Sequence, residues 1–412
     1  MNIKIKIYDS ELCARCKGRG YCGMPCKILA KIKQFSPKAK THFSGSSPPE
    51  IFVGRVGYPL VNTGILAPQE YGDTEEMSLP EIWYKKNLSI QQILNFRGQL
   101  IYSRFKSKIK GAKANKKFLN TMQEISLASK SVSTEFFLKK PIKAQILVDK
   151  HVPLIGNPAP LKSIKLEENP FIEKKVDYLV SDTDNKAASS IKELYKSNIP
   201  ISNIIKILSA GMLGLKNNRK LVPTRWSVTA TDDTISKELL KKIKLYPEIN
   251  EILLFNENYV GNYYEILLLP DKFSFEVIEA YMSGSVWNPL SAKINFAQDF
   301  ERFSGRKTYA GSVTGAYYTA RLAVCEYLEK IKKQAYIIIF REERPEYNAP
   351  LGVGILRELC RNAFLKKPEK FDTIQQALEK IQSRMKLPIQ QFIEQSVLLK
   401  KYKTQARLSK WI

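Results

Sequence analysis

Ile252-Leu-Leu-Phe-Asn-Glu-Asn-Tyr-Val-Gly-Asn-Tyr-Tyr-Glu-Ile-Leu-Leu-Leu269 sets two apolar runs, Ile252–Phe255 and Tyr263–Leu269, on either side of Asn258-Tyr-Val-Gly-Asn262. Glycine and asparagine tolerate the positive φ that a tight reversal needs, so the stretch predicts a β-hairpin. Around it the periodicity changes. Arg225-Trp-Ser-Val-Thr-Ala-Thr231 predicts another strand, after which Asp232-Asp233-Thr234 would cap a helix running to Leu245. Gly315–Lys332 has helical spacing and precedes an apolar strand, Ala335–Phe340. Residues 351–364 and 372–386 are expected as helices, and a last helix starts beyond Pro388 with Ile389, Phe392, Ile393 and Val397. Strands and helices mix without a regular βαβ alternation. The expected class is therefore α+β, a mixed sheet with packed helices.

Toward the N-terminus, Ile51-Phe-Val-Gly-Arg-Val-Gly-Tyr-Pro-Leu-Val61 predicts a strand and a tight turn. A helix is expected to start near Ser89, since Ile90, Ile93, Leu94 and Arg97 follow helical spacing. Pro153 to Pro170 is expected to be irregular, and helices are expected near Lys186–Lys196 and Ile201–Leu208. The domain reading is a small four-Cys module at 1–35, a basic mixed region at 51–222, an α+β domain at 223–400 and a tail at 401–412.

The charge is unusual. Lys plus Arg number 66 against 40 acids, a formal +26. Such a balance repels itself unless a polyanion is near, which points to nucleic acid or, less strongly, an anionic membrane. Residues 85–150 concentrate it, with 15 Lys/Arg against three acids, and Phe96, Tyr102, Phe105 and Phe118 are interleaved. Arg97, Arg104, Lys106, Lys108, Lys110, Lys113, Lys116 and Lys117 are the candidate DNA phosphate contacts. The bland alternative is a solvated, solubilising face. No apolar run is long enough to span a membrane, and the charged start Met1-Asn-Ile-Lys-Ile-Lys-Ile-Tyr8 is unlike a signal peptide. A cytoplasmic, nucleoid-associated protein is expected.

Four of the six cysteines, Cys13, Cys16, Cys22 and Cys26, fall within fourteen residues, with Gly18, Gly20 and Gly23 among them. Four thiolates at this spacing suit a closed tetrahedral Zn²⁺ site of structural role. The inner spacer of five residues is shorter than that of an ordinary zinc ribbon. An iron–sulfur cluster and disulfides are the alternatives. Cys325 and Cys360 lie in apolar surroundings and are expected to be buried core thiols.

The chain ends Gln405-Ala-Arg-Leu408-Ser-Lys-Trp411-Ile412. This octet resembles the peptides by which replication and repair proteins bind the sliding clamp (PCNA). One helical turn would bring Leu408, Trp411 and Ile412 together as an apolar plug, with the Gln405 amide at the rim. Ile412 departs from the usual second aromatic. The competing reading is that Trp411 and Ile412 close the core.

The cysteine run 13–26 also resembles the opening of the archaeal Nre proteins. So do Val53-Gly-Arg-Val-Gly-Tyr-Pro59, Arg225-Trp-Ser-Val-Thr-Ala230, Gly261-Asn-Tyr-Tyr-Glu-Ile266, Ala310–Glu326 and Pro350-Leu-Gly-Val353. The resemblance implies a role in DNA-damage repair together with the clamp. It supplies no reaction. Asp232, Asp233 and Glu265 are the carboxylates that a metal-dependent nuclease, the alternative reading, would use to hold Mg²⁺. Helix capping for the two aspartates and an arginine partner for Glu265 are the expected structural roles. His42 and His151 carry no partner motif, so Ser-His-Asp or Cys-His chemistry is not indicated.

Overall fold

The computed structural model describes residues 37–110, 116–143, 147–149 and 151–404. These fall into two compact bodies. One holds the described residues up to Ile235 together with Ala349–Ile355; the other holds Ser236–Asn348 and the described residues from Leu356. Both are built on a six-stranded mixed sheet flanked by helices, the α+β architecture expected. The four-cysteine module lies outside the described residues.

The first body contains β1 (His42–Ser47), β2 (Glu50–Val53), β3 (Leu60–Ala67), α1 (Pro80–Lys85), α2 (Ile90–Gln99), β4 (Ile101–Lys108), α3 (Lys116–Leu127), β5 (Val132–Leu138) and β6 (Asn157–Leu166). The helices α4 (Lys174–Ser181), α5 (Ala187–Lys196) and α6 (Ile201–Ser209) follow. Its sheet order is β1-β5-β6-β4-β3-β2, with β4 and β6 as the parallel pair. The core forms because one residue in two faces inward. Val61, Thr63 and Ile65 of β3 and Val132 and Phe136 of β5 are buried in one cluster or beside it with Met122 and Ile125 of α3. The helix expected near Ser89 is α2, and a capping box starts it: Ser89 Oγ accepts from Gln92 N and Gln92 Oε1 accepts from Ser89 N.

Two expectations fail here. Residues 153–170 are not irregular, because β6 runs through them. Pro158 and Pro160 are two apart, so both missing donors fall on one edge of the strand. That edge is the one away from β4, toward which Asn157 N points in bonding Leu100 O. Ladder pairing with β5 begins only at Leu161, and the Pro160 carbonyl still accepts from Lys139 N. The second failure is Arg225–Thr231, which is helical. It opens α7 (Thr224–Ile243), and Asp232 and Asp233 are interior positions of that helix rather than caps. Buried Val228, Thr231, Asp232, Ile235, Leu240 and Ile243 follow a 3.6 period, which outweighs the β-branched composition.

The second body contains β7 (Ile252–Tyr259), β8 (Asn262–Leu269), β9 (Ser274–Tyr281), β10 (Asn295–Glu301), α8 (Gly315–Ile331), β11 (Tyr336–Glu343), most of α9 (Gly354–Ala363), β12 (Glu369–Phe371), α10 (Ile374–Arg384), α11 (Ile389–Gln395) and α12 (Leu398–Thr404). The order is β10-β9-β11-β8-β7-β12, with β9 and β11 parallel. The predicted hairpin is β7–β8, and its link is shorter than expected. Tyr259 pairs with Asn262, which leaves Val260 and Gly261 as a two-residue turn with φ of 44° and 81°. Every residue of β9 and β11 is buried. One sheet face packs Leu267, Ile278, Ile338 and Phe340 with Leu378, Ile381, Phe392 and Leu399 of the C-terminal helices. The other meets α8, where Phe275 lies edge-on to Tyr317 at 5.1 Å.

Buried glutamates anchor those C-terminal helices. Glu276 accepts hydrogen bonds from Ser396 Oγ and from the Val397 and Leu398 N–H groups at the start of α12. Glu342 accepts from Lys386 N and Leu387 N ahead of α11. Each carboxylate at the sheet face thereby satisfies backbone amides in the segment that leads into a helix. Cys325 and Cys360 are free and buried, as expected. Among the described residues no helix is long and apolar enough to cross a membrane.

Candidate nucleic-acid interface

The β2–β3 turn and strand β4 make the surface of interest. Gly57 has φ +83°, and a Cβ there would sit 2.8 Å from Leu60 O, so the turn requires glycine. Leu60 N donates to Gly57 O and Gly54 N to Asn62 O, which closes the turn. Beyond it β3 and β4 pair antiparallel, with Leu60 opposite Lys108, Asn62 opposite Lys106 and Gly64 opposite Arg104. Paired residues share a face. Because Val61, Thr63, Ile65, Ser103, Phe105 and Ser107 fill the inner face, Arg104, Lys106 and Lys108 are turned outward. Lys106 and Lys108 are exposed, Arg104 is half-buried and Lys110 extends the row beyond the strand end. Lys116 and Lys117 are exposed at the start of α3.

Arg97, expected from the sequence as a phosphate contact, does not belong to this surface. It is 1% exposed. Its guanidinium grips Glu50 with both Nη atoms, donates from Nη1 to Met77 O at 2.9 Å and from Nε to Leu154 O at 2.7 Å. It anchors α2 in the core and has no donors turned to solvent. Lys113 lies outside the described residues.

Two motifs distant in sequence meet at this surface. Val53 N donates to Thr224 Oγ1 at 2.9 Å, and the rings of Tyr58 and Trp226 lie 5.4 Å apart. The neighbouring Arg225 turns inward, toward Asp149 Oδ2 at 3.3 Å and His151 Nδ1 at 3.0 Å. His151 is thus a buried structural group, while His42 opens β1, stacks on Phe137 and bonds Glu135. Tyr58 and Trp226 were not among the expected contacts, since nothing in the local sequence shows that they come together.

Asp232 is fully buried within α7, and Asp233 is half-buried beside it. Glu265, on β8, pairs with Arg384 at 3.2 Å, the partner type expected. Burial pushes its carboxyl up to about 8 against the pull of Arg384. Among the described residues no three His, Cys, Asp or Glu side chains are grouped to hold a metal ion. Cys13, Cys16, Cys22 and Cys26, and the clamp candidates Gln405, Leu408, Trp411 and Ile412, lie outside the described residues.

Residues 17–288 match the archaeal Nre N-terminal family, and residues 301–411 match the archaeal Nre C-terminal family. The chain is 35% identical to the DNA repair protein NreB of Archaeoglobus fulgidus, over 94% of its own length and 97% of the relative's. It is 36% identical to that organism's DNA repair protein NreA, over 90% and 92%. It is 34% identical to the DNA repair protein NreA of Haloferax volcanii, over 82% and 83%. No solved structure matches.

Proposed function

We propose, from the premise that this chain belongs to the archaeal Nre family, that it is a DNA-damage repair factor which binds DNA through a basic surface and is recruited to the sliding clamp (PCNA) by its last eight residues. The observation that carries the reading is the outward row Arg104, Lys106, Lys108 and Lys110, in a chain whose relatives are named DNA repair proteins. Cations on one strand face, opposite Leu60, Asn62 and Gly64 in the β3 register, suit a phosphate backbone. The four cysteines near the N-terminus would hold a structural Zn²⁺, a closed site that stabilises without reacting.

Recruitment rests on the terminal octet. Leu408 and Trp411 would bury the most apolar surface and act as hot spots, with Gln405 contributing less. Calorimetry with a synthetic Gln405–Ile412 peptide and the purified clamp tests this. Binding is expected, and Leu408→Ala or Trp411→Ala should abolish it. Deleting the octet from the full chain should leave its melting temperature unchanged. A peptide that does not bind, or a truncation that destabilises the body, refutes the recruitment.

A further inference from the structure

The cationic row on β3–β4 ends at an aromatic pair. The Tyr58 and Trp226 rings are tilted by 56° to one another and remain 42% and 44% exposed. Both sit on fixed backbone. Tyr58 follows Gly57 in the closed β2–β3 turn, and Ile109 N bonds Pro59 O, so the strand end that carries Lys108 and Lys110 runs alongside that turn. Trp226 stands in the first turn of α7, where its N–H bonds Pro223 O and Thr224 Oγ1 ties the helix start to β2. Two large rings held at the surface keep apolar area in water, and an exposed aromatic patch of this kind marks an interaction site. The neighbouring charge is positive, so the complementary partner is a polyanion. A polyanion that also offers flat apolar faces is a nucleic acid with unpaired bases; an intact duplex keeps its bases stacked on each other and offers phosphates and base edges but no free base faces.

We infer that Tyr58 and Trp226, together with Arg104, Lys106 and Lys108, form a binding site for single-stranded DNA. Unpaired bases stack on the two rings, and the phosphates between them run along the strand face. This deepens the DNA-binding reading above and rests on it. The assignment gives the aromatic pair a role the lysines cannot fill: the cations attract any nucleic acid, and the rings select single strands.

The test is fluorescence anisotropy with the full chain at one fixed salt concentration, using an oligothymidylate, an oligouridylate and a blunt DNA duplex of equal length. Trp226→Ala and Tyr58→Ala should each weaken oligothymidylate binding about tenfold while duplex binding changes by less than about twofold. Trp226→Phe keeps a ring and should recover most of the affinity. Tyr58 is in an exposed turn, so its alanine variant retains the fold and keeps the test decisive. Lys106→Glu with Lys108→Glu should weaken both DNA ligands. Aromatic variants that weaken duplex and single strand equally overturn the inference, as does a wild-type chain that prefers the duplex or the oligouridylate. If the lysine variants change neither affinity while Trp226→Ala abolishes oligothymidylate binding, the basic-surface reading fails and base stacking stands.

Discussion

Arg97→Ala separates charge that binds DNA from charge that holds the fold. Arg97 lies in the most basic region of the chain, yet its side chain is 1% exposed beside a Glu50 side chain that is 13% exposed. Alanine removes a bidentate ion pair and leaves the Glu50 carboxylate without its partner. It also strips the Met77 and Leu154 carbonyls of side-chain donors. Breaking a buried pair from one side costs about 3–5 kcal/mol, and each orphaned carbonyl adds to that cost. For a body of this size, 1 kcal/mol moves the melting temperature by roughly 2–4 °C, so a fall of about 10 °C is expected. Circular dichroism melts of the variant and wild type measure it. At a temperature where both are folded, the variant's DNA affinity should equal that of the wild type, whereas Lys106→Ala should show the reverse pattern. An Arg97→Ala chain that melts normally but binds DNA weakly would refute the reasoning.

Elemental analysis should find a single Zn²⁺ per chain, lost when any of Cys13, Cys16, Cys22 or Cys26 is replaced by serine; a brown protein with a visible charge-transfer band would instead establish iron–sulfur ligation. Glu265 makes stability pH-dependent. Its folded carboxyl is raised to about 8 by burial, above its unfolded value, so the stability it contributes is fully present below the unfolded pKa and is lost as pH rises through the folded one. The melting temperature of Glu265→Gln should therefore gain on wild type between pH 5 and pH 9, by at most about 1.4 kcal/mol of stability per pH unit. A difference that stays flat across that range would show that Arg384 holds the carboxylate ionised.

What could be read in the sequence follows from which signals are local. The β7–β8 hairpin was legible because Asn258, Gly261 and Asn262 mark a reversal between apolar runs, although the turn itself places the β-branched Val260 at positive φ, which no composition rule anticipates. Strand β9, Ser274-Phe-Glu-Val-Ile-Glu-Ala-Tyr281, was not legible. Glu276 and Glu279 suggest a solvent face, but the donors that make their burial tolerable come from Ser396, Val397 and Leu398 for one and from Arg341 and Tyr281 for the other. Those partners lie mostly far along the chain. Strand β4 carries a plain two-residue alternation, buried Ser103, Phe105 and Ser107 against outward Arg104, Lys106 and Lys108, within the most basic stretch of the chain.

Arg97 and Lys106 show how the two kinds of signal should be weighed. Both are basic and nine residues apart. Arg97 falls three and four residues after Leu94 and Ile93, on the buried stripe of α2, whereas Lys106 alternates with buried Ser103-side neighbours on β4 and is turned out. Charge states what environment a side chain favours in isolation; periodicity states which side of its element it occupies. When they disagree, as at Arg97, the backbone geometry decides, and the fold must then supply a partner, here Glu50. When they agree, as at Lys106, the side chain is turned to the surface, where its charge meets solvent. The same comparison explains why the aromatic pair has no local signal: Tyr58 and Trp226 lie in separate local patterns, and long-range bonds such as Val53 N to Thr224 Oγ1, joining residues 171 positions apart, bring them to one surface.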